Sequence, residues 1–164
     1  MQENEGVCQV LGAGSVRMVD VPGHERSRSK LDKHLKDAKA IVFVLDAADI
    51  TPHKAEAAEE LFEILTHPTA SRRKVPLLIA CNKMDLDTQA HSLEFIRKTL
   101  EKQLDAMRKT RTTLSPEAKA KAAVLGKPEK PFKLSGLRNK ITIAPMSALK
   151  GDISAIYSFL KSGI

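Results

Sequence analysis

Tryptophan is absent from these 164 residues, tyrosine occurs once, and aromatic residues amount to 4%. A surface that holds nucleic acid by stacking bases needs several such rings, so that class of binder is disfavoured from the outset. Cysteine occurs only at Cys8 and Cys81. Two thiols do not make a disulfide scaffold, and Cys81 ends an apolar run, which points to a reduced, cytosolic setting. No apolar run exceeds seven residues, far short of the ~20 needed to cross a bilayer. The first residues carry no signal-peptide pattern. A soluble chain with no membrane span of its own is expected.

What is present is ordinary globular material, 42% hydrophobic and 29% charged, in one domain's length of chain. The net charge of +7 is unevenly spread. Residues 97–140 hold 13 basic and 4 acidic residues, or +9, which leaves −2 for the rest. Such a surface attracts nucleic acid, anionic lipid or an acidic protein. With Phe132 its one aromatic, the stretch reads as a solvated basic face or a protein contact rather than an RNA binder, and direct DNA binding is not expected.

The stretch around which the chain is organised is Val75–Asp85, V-P-L-L-I-A-C-N-K-M-D. A continuously apolar run that ends in polar residues reads as a buried parallel strand delivering side chains to the carboxyl edge of a sheet. That edge is where open α/β sheets bind ligands. Asn82-Lys83-Met84-Asp85 there has a specific chemical use. An Asp carboxylate can accept from both N1 and N2 of guanine, a donor pair adenine lacks, while Asn braces neighbouring loops and Lys lies along the base.

Taken in order, residues 7–11 and 16–21 predict two short strands around a Gly12–Ser15 turn, a hairpin. Asp20-Val21-Pro22-Gly23-His24-Glu25 ends the second strand. A helix is expected over 25–38, a buried strand over 40–46, and a helix capped at Thr51 with Pro52 at its first turn. Residues 67–74 read as a loop. Ser92 caps a long helix facing inward through Leu93, Ile96, Leu100, Leu104 and Met107. Residues 112–140 read as a partly ordered basic insert with one short helix at 116–124. A last strand at 141–146 precedes a helix capped by Asp152, with Ile153, Ile156, Tyr157 and Leu160 turned inward. The fold class is α/β: a doubly wound, mostly parallel sheet with helices on both faces, in a single domain spanning 1–164.

Three loops after strands are expected on one sheet edge: Asp20–His24, Asn82–Asp85 and Ser147–Leu149. Asp20 suits water-mediated Mg²⁺ binding. The Gly23 N–H can approach a terminal phosphate, and His24 stands where an attacking water would be oriented. Ser147 and Ala148 can offer N–H groups to the guanine carbonyl. Singly, each has a plainer reading: Asp20 as a turn residue, His24 as a solvated loop histidine, Asn82 and Asp85 as helix caps. Their joint occurrence after these strands favours a guanine-nucleotide fold.

On D-V-P-G-H-E-R-S-R, A-I-V-F-V-L-D-A, L-L-I-A-C-N-K-M-D-L, the helix K-T-L-E-K-Q-L-D-A-M-R-K-T-R and the insert ending F-K-L-S-G-L, the chain resembles Arf/Sar-like small GTPases. It resembles most closely the beta subunits of the signal recognition particle receptor, from Val16 onward. The resemblance implies a GTP-binding, Mg²⁺-dependent domain on the cytosolic face of the endoplasmic reticulum membrane. It also implies partnership with the receptor's alpha subunit in co-translational targeting, with the ribosome and translocon in its vicinity. It departs from the family in one respect. No G-x-x-x-x-G-K-S/T occurs in these residues, so the first strand, the phosphate loop, the first helix and the switch threonine that binds Mg²⁺ are expected to be missing, as is the N-terminal anchor. GTP hydrolysis is therefore an open question. A nucleotide-free interaction module that kept the fold, or an Arf-like or translation-type GTPase, stands as the alternative.

Overall fold

A computed structural model describes residues 4–10, 14–23 and 28–163. Strands β1 (Asn4–Val10) and β2 (Gly14–Asp20) pair antiparallel. Helix α1 (Arg28–Leu35) leads into β3 (Ile41–Asp46), then α2 (Ile50–Thr66), α3 (Pro68–Arg72), β4 (Leu77–Asn82) and α4 (Leu93–Arg111). Helix α5 (Pro116–Val124), a 3-10 turn (Leu134–Gly136), β5 (Ile141–Pro145) and α6 (Ser154–Gly163) complete the order.

Strands β3, β4 and β5 form a parallel sheet in that order. β4 is central, and its apolar run divides between two cores. Leu77, Ile79 and Cys81 join the α2–α4 side with Phe62, Ile96, Leu100 and Leu104. Leu78 and Ala80 join the α6 side with Met146, Phe159 and Leu160. Burial on both faces is why the run lacks the polar alternation of a half-exposed strand. The doubly wound, mostly parallel architecture is thereby realised.

The hairpin of β1 and β2 is a separate two-stranded sheet. Val10, Cys8 and Val16 pack with the α6-side core, but β2 does not pair with β3. Between their facing edges lies a cleft of about 970 Å³, lined by β2, α1, β3, Ile64 of α2 and Leu160 of α6. Val44, in the middle of β3, is 53% exposed. Two unpaired strand edges are ready templates for further pairing.

The insert is held more firmly than its composition implies. Arg108 of α4 is buried. Its guanidinium donates to the Leu125 carbonyl (3.2 Å), the Lys130 carbonyl (2.6 Å) and the Asp105 carboxylate, and sits 5.7 Å from the Phe132 ring. Glu101, also buried, accepts the Leu134 N–H at 3.0 Å. A charge-assisted bond to a backbone group is among the stronger polar contacts a fold can make. Two such anchors on one helix order the segment from α5 to the 3-10 turn.

Several boundaries differ from the sequence reading. Residues 68–72 form α3 instead of a loop, because the His67 ring accepts the Ala70 N–H and Pro68 opens the first turn. Helix α2 begins at Ile50, with Asp49 as its cap residue. Thr51 is inside the first turn, where its hydroxyl lies 3.0 Å from His91 Nε2 and caps nothing. Tyr157 is 51% exposed, whereas Phe159 takes the inward place beside Leu160. Ser92, by contrast, caps α4 as its position predicts, accepting the Phe95 N–H at 3.2 Å. Among the described residues no helix is long and apolar enough to cross a membrane.

Candidate functional site

The carboxyl edge of the parallel sheet is assembled by register. Asp46 pairs across from Asn82, and Cys81 from Pro145. The three loops that follow β3, β4 and β5 therefore leave from one level. The Ala47 N–H donates to the Asn82 carbonyl at 2.9 Å, and the Met84 N–H donates to the Met146 carbonyl at 3.2 Å. Backbone bonds lock the loops to one another before any side chain acts.

The side chains of Asn82 and Asp85 then tie the loops after β4 and β5 together. The Asn82 side-chain oxygen accepts the Ala148 N–H at 3.0 Å, bracing the loop after β5. Ser147, buried, donates its hydroxyl to Asp85 at 2.6 Å and accepts the Lys150 N–H at 3.2 Å. That hydroxyl bond holds the Asp85 carboxyl below the usual carboxylate range. An ionised carboxylate is acceptor-only; one oxygen is engaged by Ser147, and the group's remaining acceptor capacity suits a donor pair such as guanine N1–H and N2–H₂. The Ser147 N–H donates to the Asp152 carbonyl at 3.0 Å. Both N–H groups that the sequence offers to a guanine carbonyl thus have partners already, Asp152 for Ser147 and Asn82 for Ala148.

Lys83 adopts a left-handed backbone, φ 65°, a conformation uncommon outside glycine, asparagine and aspartate. It sends its ammonium to Asp46 at 2.5 Å. Burial of the Asp46 carboxyl opposes its ionisation, but Lys83 and the Ala48 N–H (2.9 Å) prevail and hold it low. The same bond raises Lys83. Asp46 is the site residue that sequence reasoning missed. The available signal was an acid ending a buried strand on the same edge as Asn82.

The phosphate side is different. Asp20 and Gly23 are exposed at the end of β2, and no hydrogen bond or ion pair is found from their side to the β4 and β5 loops among the described residues. His24 lies outside the described residues. A Cβ at Gly23 would meet the Glu60 carboxylate oxygens at 3.3 Å, so an anion already lies beside the backbone expected to approach a phosphate. Among the described residues no group of three or more His, Cys, Asp or Glu could hold a metal. Among the described residues, the Asn82–Asp85 edge presents a carboxylate that a guanine ring could meet, and no phosphate-binding arrangement is found on the Asp20–Gly23 side.

A family model described as signal recognition particle receptor beta subunit matches residues 2–141. The chain belongs to that family. The mouse signal recognition particle receptor subunit beta is 38% identical over 142 residues, covering 84% of this chain and 52% of that protein. The chain spans little more than half the length of the curated relatives it matches, 58% of one and 52% of another. The structure of the mammalian signal recognition particle receptor superposes with a TM-score of 0.85 at 32% identity, covering all of this chain and 84% of that one. A receptor complex from Chaetomium thermophilum, described as SRb-GTP/SRX, gives a TM-score of 0.66 at 20% identity over 92% of this chain and 65% of that one, a likeness of fold.

Proposed function

We propose that this chain is the base-recognising portion of a GTP-binding beta subunit of the signal recognition particle receptor. It acts in co-translational targeting at the endoplasmic reticulum membrane, with the receptor's alpha subunit as partner. The observation that carries the reading is the double brace at the carboxyl edge: Asn82 on the Ala148 N–H and Ser147 on Asp85. Together they fix an acceptor carboxylate at the end of a fully buried strand, the arrangement guanine selection needs. The relative described as an SRb-GTP complex supports the choice of nucleotide.

In this reading, and only with a phosphate loop supplied upstream, Asp20 would hold Mg²⁺ through water, the Gly23 N–H would face the terminal phosphate and His24 would be the residue to orient water. Bound GTP with its metal would bring the phosphoryl chemistry. This chain's own residues select the base and brace the loops that hold it.

A second reading is favoured by Glu60 beside Gly23 and by the lack of G-x-x-x-x-G-K-S/T in these residues. Here the chain is a nucleotide-free interaction module that keeps the fold. Equilibrium binding of GTP with Mg²⁺ separates the two. Residues 1–164 alone should show no micromolar affinity, because the most strongly charged part of the ligand has no partner here. The same chain extended upstream with a phosphate loop should bind. Failure of the extended chain would leave the module reading. If the extended chain hydrolyses GTP, His24→Ala should slow turnover with affinity nearly intact, since orienting water is a transition-state role; single-turnover kinetics checks it.

A further inference from the structure

The opposite edge of the same sheet carries an independent feature. Ile41, Leu77 and Ile141 are paired across the three strands, so β3, β4 and β5 all start at one level. The residues just before them form a common rim: Lys36 and Lys39 ahead of β3, Arg72, Arg73 and Lys74 ahead of β4, and Arg138 and Lys140 ahead of β5. Segments 36–40, 72–76 and 138–140 hold these seven basic residues and one acidic residue, Asp37. All seven are exposed.

The rim is braced and does not consist of loose tails. The Ile41 N–H donates to the Pro76 carbonyl at 3.0 Å, and the Leu77 N–H to the Lys140 carbonyl at 2.9 Å. Arg73 Nη1 donates to the Lys36 carbonyl at 2.8 Å. Asn139 Nδ2 donates to the Ala70 and Val75 carbonyls at 3.2 and 2.8 Å. Lys74 holds a left-handed backbone, φ 55°, where glycine or asparagine would sit at lower cost; the position spends that cost on a cation. Opposing charge is slight. Asp32 pairs with Lys36 at 2.8 Å and with His67, and the carbonyl ends of α1 and α3 close nearby and offset part of the field.

We propose that this rim docks on an anionic lipid surface. Cations set in one braced row suit a negative sheet of headgroups, which rewards each Lys or Arg brought near it without demanding a register. Nucleic acid is the weaker fit, because none of the three segments contains an aromatic residue on which a base could stack. The geometry has a functional corollary: with the rim on the lipid, the Asn82–Asp85 edge faces away from it.

Flotation of residues 1–164 with vesicles tests this, using phosphatidylcholine alone and phosphatidylcholine with phosphatidylserine at low and high salt. Binding is expected only with phosphatidylserine and should weaken with salt. The variant K39Q/R72Q/K74Q/K140Q removes four exposed rim cations for which no side-chain bond is found among the described residues, and circular dichroism checks that it folds. Its affinity should fall by about fivefold per cation removed. The variant K54Q/K98Q/K102Q/K150Q removes the same charge away from the rim and should float like the parent. Equal loss in both variants, or flotation with phosphatidylcholine alone, overturns the proposal. So does tighter, rim-dependent binding to single-stranded RNA at the same salt, which would assign the rim to nucleic acid.

Discussion

The two edges of the parallel sheet are built from the same three strands and carry opposite charge. At the carboxyl edge, segments 46–50, 82–87 and 146–152 hold five aspartates and two lysines. At the amino edge, segments 36–40, 72–76 and 138–140 hold seven basic residues and one aspartate. The contrast bears directly on the nucleotide. An acidic edge is well made for a ligand that presents donors, as a guanine ring does to Asp85, and badly made for a triphosphate. The cations a triphosphate needs must come from elsewhere in a complete site, and the basic rim is at the wrong end of the strands to supply them.

The largest expected effect lies on the acidic edge. In a chain extended upstream to include a phosphate loop, Asp85→Asn should exchange guanine preference for xanthine. The asparagine amide would face the guanine amino group donor to donor, whereas xanthine presents a carbonyl there. Losing one partner of a charge-assisted pair to the base should lower guanine affinity by orders of magnitude. Competition between GTP and xanthosine triphosphate decides it, and unchanged guanine preference reduces Asn82–Asp85 to a capped turn.

On the basic edge the corresponding loss is structural. Asn139→Ala strands the Val75 carbonyl that its amide now satisfies, while the Ala70 carbonyl keeps the Val75 N–H. Leaving buried acceptors unpaired costs about 1–3 kcal/mol, which chemical denaturation should register as a lower midpoint with the slope unchanged. Nucleotide selection in the extended chain should be unaffected, since the rim and the base site share strands but no side-chain contact.

The smallest effect sharpens the comparison within the acidic edge. Asp46→Asn removes the carboxylate that holds Lys83, a partly exposed pair whose contribution to stability is small. Asp46 is held below its unfolded value near 3.8, and Lys83 above its unfolded value near 10.5. The Asp46 contribution is thus full above about pH 4 and is lost as pH falls through its lowered value. The Lys83 contribution is full below about pH 10 and is lost as pH rises through its raised value. The stability gap between parent and variant should therefore be widest on the plateau between and close at acid pH. A gap that is flat to pH 2 in thermal unfolding would mean that the pair contributes nothing.

Much of this was legible in residues. The apolar run into Asn82–Asp85, the Ser92 cap and the short helix at 116–124 follow from periodicity and cap chemistry, which are local signals. The hidden parts are those in which a side chain's role is set by distant chain. Arg108 looks like one more cation on a basic helix, and only the folded-back carbonyls of Leu125 and Lys130 make it a buried anchor. Glu101 is hidden in the same way by Leu134. The helix at 68–72 escaped because its cap is a histidine ring, not the serine, threonine or aspartate that usually marks a start. Asp46 escaped because its partner is thirty-seven positions away. The charge map shows the same limit. Summing residues 97–140 located a basic region along the sequence, whereas the braced rim draws on three segments that only strand register brings level.

The two cysteines turn this architecture into a clock. Cys81 is fully buried in the central strand, and burial pushes its thiol up to about 12; since the thiolate is the reactive form, it is chemically silent while β4 stays paired. Cys8 sits half-buried in the hairpin, outside the parallel sheet. Alkylation followed in time should then resolve two phases, a fast one from the half-exposed Cys8 and a slow one from separation of the sheet. The slow phase reports how rarely the parallel sheet opens, read by mass spectrometry on the unmodified protein.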